Sequence, residues 1–377
     1  MNVPFLDLKA QYRTIKNEID PAIQNVIDNT AFILGKSVTQ FEKDFAEAHN
    51  VKYCIGTSSG TDANHLVLWA SGVGPDDEVI LPANTFIATA WGATLCGAKP
   101  VFVDCHPQSY NLDPSKVEAA ITEKTKAIVA VHLYGQAADM DALNVISKKH
   151  NLILVEDAAQ AHFAEYKGKK IGGFSKATSF SFYPGKNLGA YGEAGAVVTD
   201  NEQLAKLVKQ LREHGQSEKY YHENYGHNYR MEGIQGAVLG VKLKHLQNWT
   251  DGRRRVAAMY RELLCNLEQI SLPVELSEHK HVYHLFVIRI NGKNLESREE
   301  IRNKLQSFLS DNDIASGLHY PVPLHLQKCF NNLGYKVGDF PVAEDLARTG
   351  LSLPMFPELT NDQIDYVALK IKEFFKK

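Results

Sequence analysis

The chain has 377 residues, of which 44% are hydrophobic and 23% are charged, and its formal net charge is −3. This length and composition are typical of a soluble globular protein with a large core and room for two structural lobes. The weak net charge disfavours a general electrostatic attraction to nucleic acid or to an anionic membrane.

The cysteines and the N-terminus bear on the cellular compartment. The five cysteines are scattered, and none are spaced as C-x-x-C, which disfavours a disulfide framework or a zinc site and favours a reducing cytoplasm. The first residues, M-N-V-P-F-L-D-L, lack the pattern of a signal peptide, and no apolar run reaches the length of a membrane span. We therefore expect a cytoplasmic protein with neither a membrane nor a nucleic acid as partner.

Two helices are predicted at the start of the chain. Isoleucines recur every four residues from Ile15 to Ile27, which predicts an amphipathic helix with one buried face. A second helix is predicted at Val38–Asn50, after a corner that contains Gly35. The residues alone indicate a simple turn at this corner.

A loop of small residues, G-T-S-S-G-T-D-A at positions 56–63, follows a short predicted strand and precedes a predicted helix at Ala63–Ala70. The free N–H groups of a helix N-terminus suit a phosphate, and the hydroxyl groups add donors. The alternative is a Ser/Thr cap that binds no ligand.

Apolar runs then alternate with helical segments, which predicts a mostly parallel α/β sheet. The predicted strands are Glu78–Pro82, Val101–Asp104, Ala127–Leu133 and Leu152–Asp157. Ligands of open α/β sheets bind beyond the carboxyl ends of the strands, where Asp157 is expected. Phe86 follows the first of these strands, where a place in the core is the commoner fate of an aromatic residue.

The segment Ser179–Thr199 combines two short strand-like runs with a loop that holds four glycines and Lys186. A lysine on such a loop can be a surface charge or an amine that is buried for chemistry, because a desolvated lysine has a lowered pKa and forms Schiff bases. A strand-end aspartate, this lysine and a phosphate-binding loop together indicate pyridoxal phosphate.

The remainder of the chain predicts a second, smaller lobe. Residues 215–230 are polar and aromatic without an apolar period, which predicts a long loop, either functional or plain surface. The run Arg253–Arg255 is interpreted as the solvated face of a helix. His319 and His325 lie in a proline-rich loop, but no carboxylate or cysteine completes a ligand set, so no metal site is predicted. The remaining predicted elements are helices at 201–214, 231–246, 249–267, 298–312 and 362–375 and a strand at 281–290.

The motifs V-E-D-A-A-Q-A-H at 155–162 and S-F-Y-P-G-K-N-L-G-A-Y-G-E-A-G-A at 181–196 resemble the DegT/DnrJ/EryC1/StrS family of sugar aminotransferases. The resemblance covers nearly the whole chain. It implies the fold type I, or aspartate aminotransferase-like, α/β architecture: a large, mostly parallel domain at residues 1–245 and a small C-terminal α+β domain at residues 246–377.

The resemblance also implies roles for individual residues. Lys186 would hold pyridoxal 5′-phosphate as an internal aldimine, and Asp157 would pair with the pyridine nitrogen; these are the two predicted catalytic residues. The cofactor-binding residues would be Gly60, Thr61, Phe86, Asp157, Gln160, Ser181, Lys186 and, from the partner subunit of a homodimer with shared active sites, Asn228. The candidate substrate contacts are Gly35, His162, Tyr183, Glu193, His319 and Tyr320.

The implied reaction moves an amino group from L-glutamate, through a pyridoxamine phosphate form, to a nucleotide-linked keto-sugar. The form of the lysine motif is similar to that of members that aminate C3 of dTDP-3-keto-6-deoxyhexoses. The alternatives are amination at C4 or of a free cyclic ketone, a cofactor-binding regulator without turnover, and an α/β binding module without pyridoxal phosphate.

Overall fold

A computed structural model describes residues 1–376 of the chain. The long predicted helices are present, with most boundaries shifted by one to three residues. The α-helices are α1 (Leu8–Asp28), α2 (Gly35–Ala48), α3 (Gly60–Ala70), α4 (Ala88–Leu95), α5 (Pro114–Val117), α6 (Met140–Lys149), α7 (Glu202–Arg212), α8 (Gly233–Leu243), α9 (Leu246–Leu264), α10 (Leu295–Asp311), α11 (Pro341–Thr349) and α12 (Asn361–Lys376).

The strands form one large sheet and three small ones. They are β1 (Tyr53–Thr57), β2 (Glu78–Pro82), β3 (Lys99–Val103), β4 (Thr125–Val131), β5 (Ile153–Asp157), β6 (Glu165–Tyr166), β7 (Lys169–Lys170), β8 (Thr178–Ser181), β9 (Gly195–Thr199), β10 (Gln216–Glu218), β11 (Tyr221–His222), β12 (Ile270–Ser271), β13 (His279–Lys280), β14 (Phe286–Ile290) and β15 (Gly350–Leu353).

The large sheet has seven strands in the order β1-β9-β8-β5-β4-β2-β3. Strand β9 pairs antiparallel with both β1 and β8, and the remaining pairs are parallel. Six strands therefore run in one direction, and their carboxyl ends meet at one edge. The predicted mostly parallel α/β fold is confirmed.

The central strands are buried along their length because helices cover both faces of the sheet. Every residue of β2 is buried, and four of the five residues of β5 are buried. Sheets of this kind have near-continuous apolar strands rather than alternating ones. The apolar run before Glu156 and Asp157 therefore predicted both the strand and the position of the two acids at its end.

The C-terminal part is built on a three-stranded antiparallel sheet in the order β12-β14-β15. Helices α9, α10 and α12 pack together with it around a separate apolar cluster that includes Tyr260, Phe286, Leu305 and Ile364. Val3 belongs to the same cluster, so the N-terminal segment crosses to this part of the molecule. The division of the chain at residue 245 stays a prediction.

Three local expectations were wrong. In α1 the buried face carries Val26, whereas Ile27 is exposed, because a four-residue spacing drifts by about 40° per step around a helix of 3.6 residues per turn. The 215–230 segment contains the hairpin β10–β11 rather than loop alone. The predicted strand at 281–290 is extended and paired only from Phe286 onward.

Among residues 1–376, none of the helices combines the length and the apolar character that crossing a membrane would require.

Candidate active site

A cavity of about 730 Å³ lies at the carboxyl edge of the large sheet. The ends of three neighbouring parallel strands contribute Val131, Asp157 and Ser181 to its wall, and the lysine loop contributes Lys186. This is the place where open α/β sheets bind ligands, since the strand-to-helix loops leave a crevice there.

Asp157 is the last residue of β5, and its carboxylate is held from several sides. Oδ2 accepts hydrogen bonds from Asn64 Nδ2 at 3.0 Å and Thr89 Oγ1 at 2.7 Å, and Oδ1 accepts one from the backbone N–H of Ala159 at 3.1 Å. Asn64 is itself bound by the Ser179 hydroxyl. These donors fix the position and orientation of the carboxylate at the cavity wall.

Lys186 stands on the loop between β8 and β9, and it lines the same cavity. Burial lowers the pKa of Lys186 to about 8, and the negative charge of Asp157 acts in the opposite direction. Among residues 1–376, Lys186 Nζ forms no ion pair or hydrogen bond that would hold its proton. Near neutral pH the amine can therefore both lose and regain a proton, which a nucleophile or a general base requires.

The N-terminus of α3 forms another part of the wall. The Ser59 hydroxyl caps the helix by accepting from the Asp62 N–H at 3.1 Å, and both Ser58 and Ser59 donate to the Asp62 carboxylate. Thr61 in the first turn and Ser181 from β8 line the cavity here. Free N–H groups, the helix dipole and two hydroxyls make this a suitable site for a phosphate.

Gly60 permits the close contact between this helix and β8. A Cβ atom on Gly60 would lie 2.4 Å from Ser181 Cβ and 3.0 Å from Ser181 Cα. Contacts this short cannot be relieved by turning a side chain, because backbone atoms are involved. Only glycine allows the helix N-terminus and the strand to approach each other so closely.

We expect Gly60→Ala to lower the free energy of unfolding by about 1–3 kcal/mol, because overpacking forces backbone shifts of this cost. The shift also moves the N–H groups of α3, so the dissociation constant for a phosphate ligand at this site should rise. Urea denaturation and titration with the phosphate ligand measure the two effects. Gly74→Ala is the matched control, since a Cβ there meets nothing within 4 Å; equal stability losses in both variants would contradict the account.

Aromatic side chains form a further wall. Phe86 and Tyr320 pack with ring centroids 5.6 Å apart, and Phe86 remains 51% exposed toward the cavity that it lines. Gln160 fixes Tyr320 by donating from Nε2 to the tyrosine oxygen at 3.0 Å, while its Oε1 accepts from the Tyr134 N–H at 2.7 Å. A flat heteroaromatic ring could stack on Phe86 here.

Two histidines of the wall are kept neutral. Burial and the charge of Lys186 lower the pKa of His319 to about 4, and its ring stacks on Phe5 at 5.6 Å. The same causes lower the pKa of His284 well below its usual value, and its Nδ1 lies 3.2 Å from Asn187 Oδ1. Neutral imidazoles offer the cavity hydrogen bonds without adding positive charge.

The other predicted residues are placed differently. Tyr183 and Glu193 line the cavity with exposed side chains. His162 does not line it, because the ring is fully buried against Phe180 and Phe182 at 5.5 Å from each. Gly35 and Asn228 also lie outside the cavity of this subunit, and Asn228 is exposed. Gly35, His162 and Asn228 therefore do not line the cavity, whereas all the other residues predicted to contact cofactor or substrate do.

The interpretation of Arg253–Arg255 as a solvated face was wrong for Arg253. Its side chain is 4% exposed and lines the cavity, although Arg254 and Arg255 point elsewhere and bind Glu275 and Asn361. A signal was present in the sequence. Residues 249, 253, 256, 257 and 260 follow the i, i+4, i+7 spacing of one buried helix face, and all five are buried.

The turn after Lys186 rests on helix α8. Lys242 is fully buried, and its Nζ donates to the Gly189 carbonyl at 2.7 Å and lies 4.3 Å from the centre of the Tyr191 ring. Gln235 accepts from the Tyr191 N–H at 3.0 Å. These contacts fix the loop that presents Lys186, and nothing in the local sequence indicated that a lysine at position 242 would face inward.

Lys242 should make the stability of the ligand-free protein depend on pH. Burial lowers the pKa of Lys242 from 10.5 to about 7, so the chain takes up a proton on unfolding between these pH values, and stability rises with pH there. The slope from this one group is about 1.4 kcal/mol per pH unit. Lys242→Met should abolish this pH dependence of the unfolding free energy, measured by urea denaturation between pH 7.5 and 9.5. Lys244→Met, an exposed neighbour, should keep it; an unchanged slope in Lys242→Met would show that the amine is not buried.

The chain is similar to known proteins along nearly its whole length. The model of the DegT/DnrJ/EryC1/StrS aminotransferase family matches residues 13–372. The chain is 48% identical over 378 residues to a pleiotropic regulatory protein of Geobacillus stearothermophilus, covering 100% of this chain and 99% of the relative. It is 43% identical over 375 residues to the dTDP-3-amino-3,4,6-trideoxy-alpha-D-glucose transaminase of Streptomyces venezuelae, covering 100% and 97%.

A third relative and two solved structures extend the comparison. The UDP-N-acetyl-3-dehydro-alpha-D-glucosamine 3-aminotransferase of Acidithiobacillus ferrooxidans is 41% identical over 370 residues, covering 98% of this chain and 97% of the relative. The crystal structure of DesV from S. venezuelae superposes with a TM-score of 0.96 at 43% identity, covering 100% and 99%. NtdA from Bacillus subtilis, with bound cofactor PMP, superposes with a TM-score of 0.91 at 35% identity, covering 100% and 86%.

Proposed function

The chain belongs to the DegT/DnrJ/EryC1/StrS aminotransferase family, and from this premise we propose that it transfers an amino group from L-glutamate to C3 of a dTDP-linked 3-keto-6-deoxyhexose. The observation that carries the proposal is the presence of Lys186 and Asp157 on the wall of one cavity. The relative from S. venezuelae, named as a transaminase of a dTDP-3-amino sugar, supports the choice of position and nucleotide.

The cofactor is pyridoxal phosphate, and the residues present fit it. Gly60 keeps the cradle at the N-terminus of α3 open, since a Cβ there would fill the space against Ser181. Phe86 offers a flat face to a ring, Gln160 offers an amide, and Asp157 offers a fixed carboxylate. Thr61 and Ser181 would bind the phosphate, Phe86 and Gln160 the ring, and Asp157 the ring nitrogen.

When bound, the cofactor supplies an electron sink that makes the proton on the amino-bearing carbon removable. Asp157 supports this chemistry because its negative charge favours a protonated ring nitrogen. Lys186 supplies the amine that binds the cofactor and then, once released, takes up and returns the proton that moves during transamination. Its lowered pKa leaves part of the amine unprotonated near neutral pH, as a general base requires.

The exposed wall of the cavity suits the acceptor. Tyr183 and Glu193 are accessible at its margin, and the neutral ring of His319 and the tyrosine hydroxyl of Tyr320 lie further in. Hydroxyl, carboxylate and imidazole groups match the several hydroxyls of a sugar ring. We assign these four residues as sugar contacts within the proposal.

We further propose that the working unit is a homodimer. The hairpin β10–β11 and the residues after it expose Tyr220, Tyr221 and Tyr225, and Asn228 is exposed nearby. Large exposed aromatic side chains are enriched at protein interfaces. Asn228 would then complete the phosphate site of the partner subunit, and sedimentation of the purified protein tests the assembly.

A regulator without turnover is the second candidate, and the 48% identical relative named as a regulatory protein favours it. Retention of Lys186 with a lowered pKa favours the enzyme, since binding alone does not need a titratable amine. Amination at C4, or of a UDP-linked sugar as the A. ferrooxidans relative suggests, keeps the same site chemistry with another acceptor.

The acceptor is tested by product analysis. Purified protein with pyridoxal phosphate and L-glutamate is given the dTDP-linked 3-keto sugar, its 4-keto isomer or a UDP-linked 3-keto sugar, and products are identified by mass and NMR. The proposal predicts an amine at C3 of the dTDP sugar. An amine at C4, or formed only on the UDP sugar, would keep the enzyme and refute the acceptor, and no amine with any ketone would favour the regulator.

A further inference from the structure

The guanidinium of Arg253 is a built part of the cavity wall. Its side chain is 4% exposed, and Nη1 donates to three backbone carbonyls, those of Tyr283 at 3.1 Å, His284 at 3.2 Å and Met355 at 2.9 Å. Among residues 1–376, neither Nε nor Nη2 forms a hydrogen bond, and the residue lines the cavity. One edge of the guanidinium is thus anchored, and the other remains available.

The charge of Arg253 is not neutralised by a close partner. Glu358 is the acid whose charge acts on it, but within the described chain the two side chains form neither a hydrogen bond nor an ion pair, and Glu358 Oε1 is buried without a donor. Burial lowers the pKa of Arg253 to about 10, which still leaves it cationic at neutral pH. A buried, underpaired cation is costly unless an anion joins it.

Arg253 and Lys186 line the same cavity and are connected through His284 and Asn187. Arg253 Nη1 binds the carbonyl of His284, and the His284 side chain lies against Asn187, the neighbour of Lys186. The charges of Lys186 and Arg253 both act on the His284 ring. The two are also the only lysine or arginine residues in the described wall of the cavity. Because Lys186 must react, Arg253 is the cation left to bind an anionic group.

We propose that the free edge of Arg253 binds a carboxylate of the amino donor and so selects an amino acid over a neutral amine. The proposal rests on the proposed function, because it takes the donor to be L-glutamate. The donor's α-carboxylate is one bond from the reacting carbon, whereas the acceptor's diphosphate is separated from C3 by C2, C1 and an oxygen. A planar guanidinium pairs with a carboxylate through two parallel hydrogen bonds.

The test separates the two halves of the reaction. Arg253→Lys keeps the positive charge, and the three N–H donors of lysine can bind the three backbone carbonyls, so the fold should be retained. The pair of parallel N–H donors that would bind the carboxylate is lost. We expect the dissociation constant of L-glutamate, from the spectral change of the cofactor-loaded protein without sugar, to rise about 10- to 100-fold. The KM of the keto-sugar should stay within about twofold.

Arg254→Met is the matched control, because that arginine pairs with Glu275 outside the cavity. Arg254→Met should leave the dissociation constant of L-glutamate unchanged. If Arg253→Lys instead raises the KM of the sugar and spares glutamate, the guanidinium binds the diphosphate and the proposal is wrong. Unchanged constants for both substrates would assign Arg253 a purely structural role and also overturn the proposal.

A second measurement does not depend on turnover. Calorimetry of the protein loaded with pyridoxal phosphate should show binding of glutarate, an unreactive dicarboxylate, that Arg253→Lys weakens by the same factor and Arg254→Met does not. This result would hold even if the chain proved to be a regulator, so failure of the proposed function and failure of this inference are distinguishable. Equal glutarate binding in all three proteins would refute the carboxylate site.

Discussion

Replacement of Lys186 by arginine should lower kcat for glutamate and the keto-sugar by at least about 10³-fold. The protein gives this lysine a pKa of about 8, so that a neutral amine is available near physiological pH. A guanidinium stays protonated in this range, and it can neither attack the cofactor nor take up the proton. Coupled detection of 2-oxoglutarate measures the loss.

Lys169→Arg is the matched control for that substitution, because this lysine is exposed and lies outside the cavity. Its rate should equal that of the wild type. The dissociation constant of the cofactor should also be measured for the Lys186 variant. The N-terminus of α3, which is proposed to bind the phosphate, is unchanged in this variant, so a low rate at saturating cofactor indicates a defect in the chemistry rather than in cofactor binding. If Lys186→Arg kept more than a tenth of the wild-type kcat, another group would have to supply the amine.

On the proposal that Asp157 pairs with the ring nitrogen of the cofactor, its replacement by asparagine should lower kcat by about 10²-fold or more, because a preorganised charge is lost. The amide has nearly the shape of the carboxylate, and its oxygen can still accept from Asn64 or Thr89. The fold should therefore persist while the protonated ring nitrogen loses its partner. Steady-state rates and thermal unfolding, measured together, distinguish a chemical defect from a structural one.

Asp139→Asn serves as the control, since Asp139 caps α6 through the Ala142 N–H and lies outside the cavity. Asparagine is an equally good cap, so both rate and stability should remain near wild type. A rate for Asp157→Asn that matched the control would mean that the ring nitrogen does not need a negative partner in this site.

Much of the seven-stranded sheet could be predicted because its central strands are buried on both faces. The strand at Glu78–Pro82 was predicted to the residue, and Asp157 was placed correctly at the end of β5. Apolar runs bounded by helices leave few alternatives for such segments. The β10–β11 hairpin was missed because its residues are polar and exposed, so no apolar pattern marks the strands.

The motifs identified part of the cavity lining, and packing alone created the rest. Lys186, Gln160 and Ser181 line one cavity, and their roles toward a cofactor stay predictions. Arg253 and His284 come from segments more than 60 residues further along the chain, and only the folded backbone brings them to the lysine. The spacing of α9 could have indicated that Arg253 is buried, but the three backbone carbonyls that hold its guanidinium leave no trace in a residue pattern.

The measurement that tests the central claim most directly is the donor half-reaction without sugar. The protein loaded with pyridoxal phosphate is mixed with L-glutamate, and the visible spectrum and the 2-oxoglutarate formed are recorded for wild type and Lys186→Arg. The account predicts one equivalent of 2-oxoglutarate per wild-type site, with loss of the visible band, and neither change in the variant. A wild-type protein that binds the cofactor but releases no 2-oxoglutarate would contradict the assignment of Lys186 as the catalytic amine.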